Sequence, residues 1–410
     1  MGSRSVTGRR AAGALLAAAV LLTACSASPA SPTYDGEQRL SSSDADGELS
    51  TGAAPAPVAQ AAPAALRTGE WADVLRIPGG PYRPAAPQGG LDDYRCFLLD
   101  PELAEDVFVT GSDVLPGNPA VVHHAILFAV APDGVAAAEA HDAATPGRGW
   151  TCFGGAALPD AGGSATAGLN SAPWLAAWAP GGGETVFRSR TGKHLSAGSR
   201  IVLQMHYNLR EGTEPDETAV RLRLMPGTAD LRALETMLLV APVELPCAGD
   251  ESGRLCERSQ SVLDLVGRFG DQSGRTVSGL QLLCGGSLVD PPAGPTQSCE
   301  RRAPDDMVVR MVAGHMHLLG RSISVELAPG TPAQRSLLDR KVWDFDDQAA
   351  TALRRPVRVQ RGEALRVTCT HDAALRAMVP ELSDEEPRYV TWGEGTSDEM
   401  CLGIVLYTRD

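Results

Sequence analysis

Eight histidines stand in a chain of 410 residues, and five of them fall in three short apolar settings suited to holding a metal ion. His123 and His124 lie in Val121-Val122-His123-His124-Ala125-Ile126-Leu127-Phe128. His206 belongs to Ile201-Val202-Leu203-Gln204-Met205-His206-Tyr207. His315 and His317 flank Met316, after Met311-Val312-Ala313-Gly314 and before Leu318-Leu319-Gly320. Neutral imidazole is the commonest protein ligand for metals. A lone strand histidine is more often a satisfied polar residue, so spacing has to carry the argument.

The runs have the β-branched, apolar character of strands. In a strand residues i and i+2 share a face, so His315 and His317 can point at one ion. The same rule puts Gln204 beside His206, where it could orient the ring from outside the ligand set. His123 and His124 are adjacent and would point to opposite faces. Both reach one ion only if a β-bulge re-aims one, or if they use different ring nitrogens. His-x-His is therefore the stronger ligand signal and His-His the weaker. Imidazole donors alone fit zinc and copper equally well.

Positioning these residues falls to strands. From residue 90 onward helical periodicity is weak, and short apolar runs alternate with Gly, Pro, Asp and Asn. The runs Val121–Val130, Arg200–Leu209, Ala219–Leu224, Met307–Val312, Arg321–Leu327, Pro356–Val359, Ala364–Thr370 and Cys401–Thr408 read as strands. Many short strands with frequent turns predict an all-β chain of sandwiches or barrels. Pro226-Gly227 reads as a hinge, which predicts domains over 68–228 and 229–410. Residues 247–299 read as a loop-rich insertion holding four cysteines. Trp343-Asp344-Phe345-Asp346 reads as a strand with Trp343 and Phe345 on its core face. His141 and His194 read as loop residues, and His371 as part of a solvent-facing turn.

The N-terminal end reads as an export signal. Arg4, Arg9 and Arg10 precede the apolar run from Ala11 to Leu22, which is short for a membrane span. Leu22-Thr23-Ala24-Cys25 resembles the lipobox of bacterial lipoproteins, which predicts a signal over 1–24 and a lipid on Cys25. Residues 25–67 are rich in Ser, Ala, Pro, Gly and Asp and predict a disordered tether. The protein is then expected outside the cytoplasm, held at the cell envelope by its lipid. A formal charge of −14 argues against nucleic acid and against an electrostatic grip on anionic membranes. Without Cys25 eight cysteines remain, and an even number in an exported chain predicts four disulfides.

Read in order, the clusters acquire a family likeness. Arg95-Cys96-Phe97, His123-His124-x3-Phe128, Trp150-x-Cys152 and Leu203-Gln204-Met205-His206-Tyr207 form one series. His315-Met316-His317-Leu318-Leu319-Gly320-Arg321, Cys369-Thr370 and Ser397-Asp398-Glu399-Met400-Cys401 continue it. The series resembles the copper type II, ascorbate-dependent monooxygenases, from about residue 70 to the C-terminus. The resemblance implies two antiparallel jelly-roll-like β-sandwich domains in tandem, and two unlike copper sites per chain. His123, His124 and His206 would form the first. His315, His317 and Met400 would form the second, where O2 and a small-molecule substrate meet. It implies the pairs Cys96–Cys152 and Cys369–Cys401. Cys247, Cys256, Cys284 and Cys299 have only proximity to suggest local pairing. The implied reaction hydroxylates an activated C–H bond, with ascorbate or a similar one-electron reductant as co-substrate. In that setting Met400 is a soft thioether that favours Cu(I) over zinc.

Two positions depart from the peptidylglycine-type pattern. Ala313 stands where those enzymes carry an arginine for the substrate carboxylate, and Ile404 where they carry a tyrosine. A C-terminal glycine peptide is thus disfavoured, and a neutral or aromatic substrate fits better. The same ligands would also serve a non-catalytic copper-binding or electron-transfer lipoprotein. Three histidines would serve a zinc hydrolase, which Met400 and the lack of a placed glutamate base speak against.

Overall fold

A computed structural model describes residues 62–87, 90–158, 173–179, 182–188, 190–345 and 347–409. The export signal, Cys25 and most of the expected tether lie outside these residues. The described residues are mostly β, in several modest sheets whose strands pair antiparallel except for Arg232–Ala233 on Thr191–Gly192, which is parallel. No helix among the described residues is long and apolar enough to cross a membrane.

The first half builds two sheets. One runs in the order Trp71–Arg76, Ala219–Pro226, Val107–Leu115, Thr191–Leu195, Arg232–Ala233, with Thr185–Val186 also on Val107–Leu115. The other runs Trp150–Thr151, Asp92–Leu99, Arg200–Asn208, Val122–Val130, Trp174–Trp178. One face of each sheet contributes to a shared core, and the central strands Val107–Leu115 and Arg200–Asn208 are buried on their other face as well. Val109, Val220 and Leu222 of the one sheet share a core with Phe97, Leu127 and Leu203 of the other. Arg232–Ala233 pairs with Thr191–Gly192 beyond the expected hinge at Pro226-Gly227, so the first sheet takes its last strand from later in the chain.

The second half repeats the plan. One sheet runs Glu235–Val240, Leu402–Arg409, Met307–His315, Thr351–Val359, and the other Thr296–Arg302, Ala364–His371, Gly320–Leu327, Arg335–Arg340. Leu239, Val309 and Val405 meet Ile323, Val325 and Val367 in its core. Glu244–Leu245 and Val390–Thr391 form a small separate ladder.

Three expectations need correction here. The insertion is not mainly loop: Arg258–Phe269 and Asp271–Leu283 are consecutive helices burying Leu265, Val277 and Leu280. Val262, Leu265, Val266 and Phe269 do follow helical spacing, over a stretch short enough to be overlooked. The tether ends before residue 67, because Arg223 donates to the carbonyls of Ala64 and Ala65 at 2.8 and 2.7 Å. His141 lies in the helix Val135–Ala144 with its ring stacked on Trp150, and His194 lies in the strand Thr191–Leu195 beside Asp106.

Four disulfides are formed: Cys96–Cys152, Cys247–Cys256, Cys284–Cys299 and Cys369–Cys401.

Candidate metal centres

The first centre depends on an irregularity in a strand. Between Val122–Val130 and Arg200–Asn208, Val122 pairs with Tyr207 and His124 with His206, and the register shifts in between. His123 is the extra residue of a β-bulge, which frees it from the alternation that would send it away from His124. His123 Nδ1 lies 3.0 Å from His206 Nδ1, which lies 3.2 Å from His124 Nδ1. One nitrogen from each ring falls within 4.8 Å of the others, so the three form a donor set able to surround one cation.

Asp92 fixes the tautomer of His206. Its Oδ1 lies 2.8 Å from His206 Nε2, and an ionised carboxylate only accepts, so Nε2 carries the proton and Nδ1 offers its lone pair. Burial works against the charge on Asp92, but hydrogen bonds from His206 and Thr396 prevail and hold its carboxyl at about 2. Tyr94, the cross-strand partner of His206, stacks on its ring with centroids 4.2 Å apart. Burial, reinforced by the neighbouring histidines, holds His123 and His124 well below the ordinary imidazole value. Both are therefore neutral at pH 7, the state a ligand needs. Gln204 does share a strand face with His206, but its Nε2 donates to Gly155 O at 3.0 Å, and the orienting role belongs to Asp92.

At the second centre His315 ends its strand and His317 follows two residues later, with ring centroids 5.2 Å apart. Each ring is held from outside at Nδ1. His315 Nδ1 donates to Gln348 Oε1 at 2.5 Å, and His317 Nδ1 donates to the Asp398 carbonyl at 3.1 Å. That leaves each Nε2 with its lone pair, and His317 Nε2 is buried with no hydrogen-bond partner. A buried acceptor without a partner costs about 1–3 kcal/mol, which a coordinated cation would offset. Burial, with His317 adding to it, lowers His315 to about 4, so it too is neutral at pH 7.

Glu399 ties this pair to the methionine beside it. Its fully buried carboxylate accepts from the backbone N–H of His317, Leu319 and Met400 at 2.9, 2.6 and 3.1 Å. Met400 is itself buried, and the Cys369–Cys401 disulfide anchors the next residue. His371 contacts Glu399 Oε2 at 3.3 Å and is buried, so it faces the interior and not solvent.

Residues 296–410 match the family model for the copper type II ascorbate-dependent monooxygenase, C-terminal domain. This region belongs to that family. The matched region contains His315, His317, Met400, Cys369 and Cys401, while His123, His124 and His206 precede it. No curated protein matches the chain. Among solved structures, an allantoicase aligns at 10% identity over 80% of this chain and 81% of its own, with a TM-score of 0.19. A fucolectin from the serum of Morone saxatilis, the striped bass, aligns at 6% identity over 78% and 84%, also with a TM-score of 0.19. Scores this low carry no argument about the fold.

The histidines of the matched region adjoin those of the first half. The rings of His124 and His315 have centroids 6.3 Å apart. Residues 343–345, expected to begin a strand, and Gln348 instead lie outside any strand, and between them they touch both centres. Trp343 Nε1 donates to the His317 carbonyl at 3.1 Å, Phe345 stacks on His123 with centroids 5.5 Å apart, and Gln348 holds His315. Asp92 and Gln348 carry no motif of their own, and only tertiary packing brings them to the rings, whereas Glu399 lies within the Ser397-Asp398-Glu399-Met400-Cys401 run.

Proposed function

We propose that the chain is a copper-dependent monooxygenase that hydroxylates an activated C–H bond of a small organic substrate, using O2 and a one-electron reductant such as ascorbate. His123, His124 and His206 would hold one copper through Nδ1. His315 and His317 would hold a second through Nε2, together with the thioether of Met400. Bound copper supplies single-electron chemistry and O2 reduction. The protein contributes neutral, pre-oriented rings. Asp92, Gln348 and the Asp398 carbonyl fix three of the five tautomers, and burial keeps protons off His123, His124 and His315. A thioether beside two imidazoles favours Cu(I) and argues against zinc.

The observation that carries this reading is His317 Nε2, buried and unpartnered, in a domain of the copper monooxygenase family. In each half an apolar core shared by two antiparallel sheets supports tandem jelly-roll-like sandwiches, divided near residue 229. We extend the reading to an exported protein anchored by a lipid on Cys25. Ala313 and Ile404 favour a neutral or aromatic substrate over a carboxylate-terminated peptide.

The deciding experiment measures copper on the soluble chain lacking residues 1–25, beside Met400→Ala, with X-ray absorption on the reduced protein. Two coppers per chain, a Cu–S scatterer lost in Met400→Ala, and reductant-dependent O2 uptake matched by hydroxylated product are expected. Copper without product-linked O2 uptake would point to a copper-binding or electron-transfer protein instead.

A further inference from the structure

We propose that Thr396 is a positioning residue shared by both metal centres, through which the segment Glu394–Met400 sets the His206 ring and the His317 ring together. The inference rests on the two-copper reading above and adds a physical link between its sites.

The link begins at Asp92. The same Oδ1 that accepts from His206 Nε2 at 2.8 Å accepts from Thr396 Oγ1 at 2.7 Å, and Oδ2 accepts from Thr396 N at 3.2 Å. The threonine hydroxyl in turn accepts from Asn208 Nδ2 at 2.8 Å. Asn208 stands two residues after His206 and is the cross-strand partner of Asp92. Thr396 is therefore seated in the first centre by three hydrogen bonds, although it lies 304 positions from Asp92. A second tie runs beside it, because Tyr94, stacked on His206, donates its hydroxyl proton to the Glu394 carbonyl.

The far end of the segment belongs to the second centre. Asp398, two residues on, offers the carbonyl that accepts from His317 Nδ1. Its carboxylate is gripped by Arg268 at 2.7 and 3.2 Å and by Gly395 N at 3.1 Å, which closes the turn between Thr396 and the ligand residues. Met400 follows after Glu399. Few backbone torsions separate the two attachments, and the turn is buried, so a displacement at Thr396 reaches Asp398 with little room to dissipate.

Removing the Thr396 hydroxyl has two separable consequences. Asp92 loses one of its donors and becomes a stronger acceptor for His206 Nε2–H, which makes the ring a more electron-rich donor. The turn also loses a fixed point, which loosens the carbonyl that orients His317. A residue that merely stabilised the loop would produce the second effect without the first.

The test uses the soluble chain with Thr396→Val and Thr396→Ser. The first centre is read by the Cu(II) electron paramagnetic resonance spectrum in a His315→Ala/His317→Ala background. The second is read by Cu(I) affinity in competition with a chromophoric chelator. Thr396→Val is expected to shift the first-centre hyperfine coupling and to weaken Cu(I) at the second centre roughly tenfold, while Thr396→Ser restores both. Asn208→Asp, which exchanges the donor into the hydroxyl for an acceptor and keeps an oxygen for Arg210 N–H, provides the same first-centre readout if the valine variant does not fold. An unchanged first-centre spectrum in a folded variant would overturn the proposal. Fewer than two coppers on the wild-type chain would instead overturn the reading it rests on, and the proposal with it.

Discussion

Ala313 and Ile404 are direct partners across the strands Met307–His315 and Leu402–Arg409. Opposed residues of an antiparallel pair share a face, and Ala313 shares it with His315 two residues later. The two positions where this sequence departs from the peptidylglycine-type pattern are thus one apolar patch on the same ladder as a proposed ligand.

A substrate preference follows from that patch. The wild-type chain is expected to turn over an aryl-ethylamine in preference to a glycine-extended peptide. Ala313→Arg combined with Ile404→Tyr should move the ratio of kcat/KM toward the peptide by roughly 10- to 100-fold, the worth of one hydrogen bond between charged groups. A wild-type preference for the peptide would defeat the assignment.

The metal-free protein should lose stability as the pH falls from about 6.5 toward 4. His315 has its folded pKa lowered to about 4 from 6.5. Between those values the unfolded chain takes up a proton that the folded chain resists, so acid favours unfolding. The loss from His315 alone is on the order of 3 kcal/mol. His123 and His124 are shifted in the same direction and add to it. Asp92, held at about 2, leaves its own contribution intact until the pH falls further. Thermal melts of the metal-free chain at pH 7.5, 6 and 5 check this, and His315→Ala should flatten the slope.

Glu399→Gln should be among the most destabilising isosteric changes in the second half. The carboxylate is fully buried, accepts three backbone N–H groups and faces His371. An amide keeps one acceptor oxygen and turns an NH2 toward donors, for a cost of about 2–4 kcal/mol. Denaturant melts at pH 7 measure it, and a cost under about 0.5 kcal/mol would contradict the network.

Gln348→Ala leaves His315 Nδ1 without its acceptor while replacing no proposed ligand. Removing such a partner typically costs 10- to 100-fold in metal affinity, so Cu(I) at the second centre should weaken by about that factor. First-centre copper should be unaffected, and competition titrations in His315→Ala/His317→Ala and His123→Ala/His124→Ala backgrounds distinguish the outcomes.

Replacing Cys369 and Cys401 by alanine opens a link between residues 32 apart. Chain entropy alone predicts a loss of about 3–4 kcal/mol. Because Cys401 follows Met400, the Cu–S scatterer of the reduced protein should weaken as well, which a remote structural bridge would not affect.

Much of this was legible in the chain because it is local. Short β-branched and apolar runs between turn residues marked the strands, and strand geometry gave the conditions under which His123 and His124 could act together, a bulge or the use of different ring nitrogens. The register shift between Val122 and His124 is that bulge. The helices from Arg258 to Leu283 were legible in principle, from the spacing of Val262, Leu265, Val266 and Phe269, but the Gly- and Ser-containing stretch masked it. Other features had no local signal. Asp92 lies 114 positions from the ring it orients, and its role exists only because Asp92–Leu99 pairs with Arg200–Asn208 in one particular register.

The sequence by itself supplied the side-chain types that could ligate a soft metal and their spacings, because these are local, although His317 lies beyond the strand that ends at His315. Short apolar runs and turn residues also indicated a mostly β chain, though not the helices Arg258–Phe269 and Asp271–Leu283. The tertiary structure decided which nitrogen of each ring is offered, since tautomers depend on partners such as Asp92, Gln348 and the Asp398 carbonyl. It decided too that His124 and His315 come within 6.3 Å, because that proximity is made by packing between strands far apart in the chain.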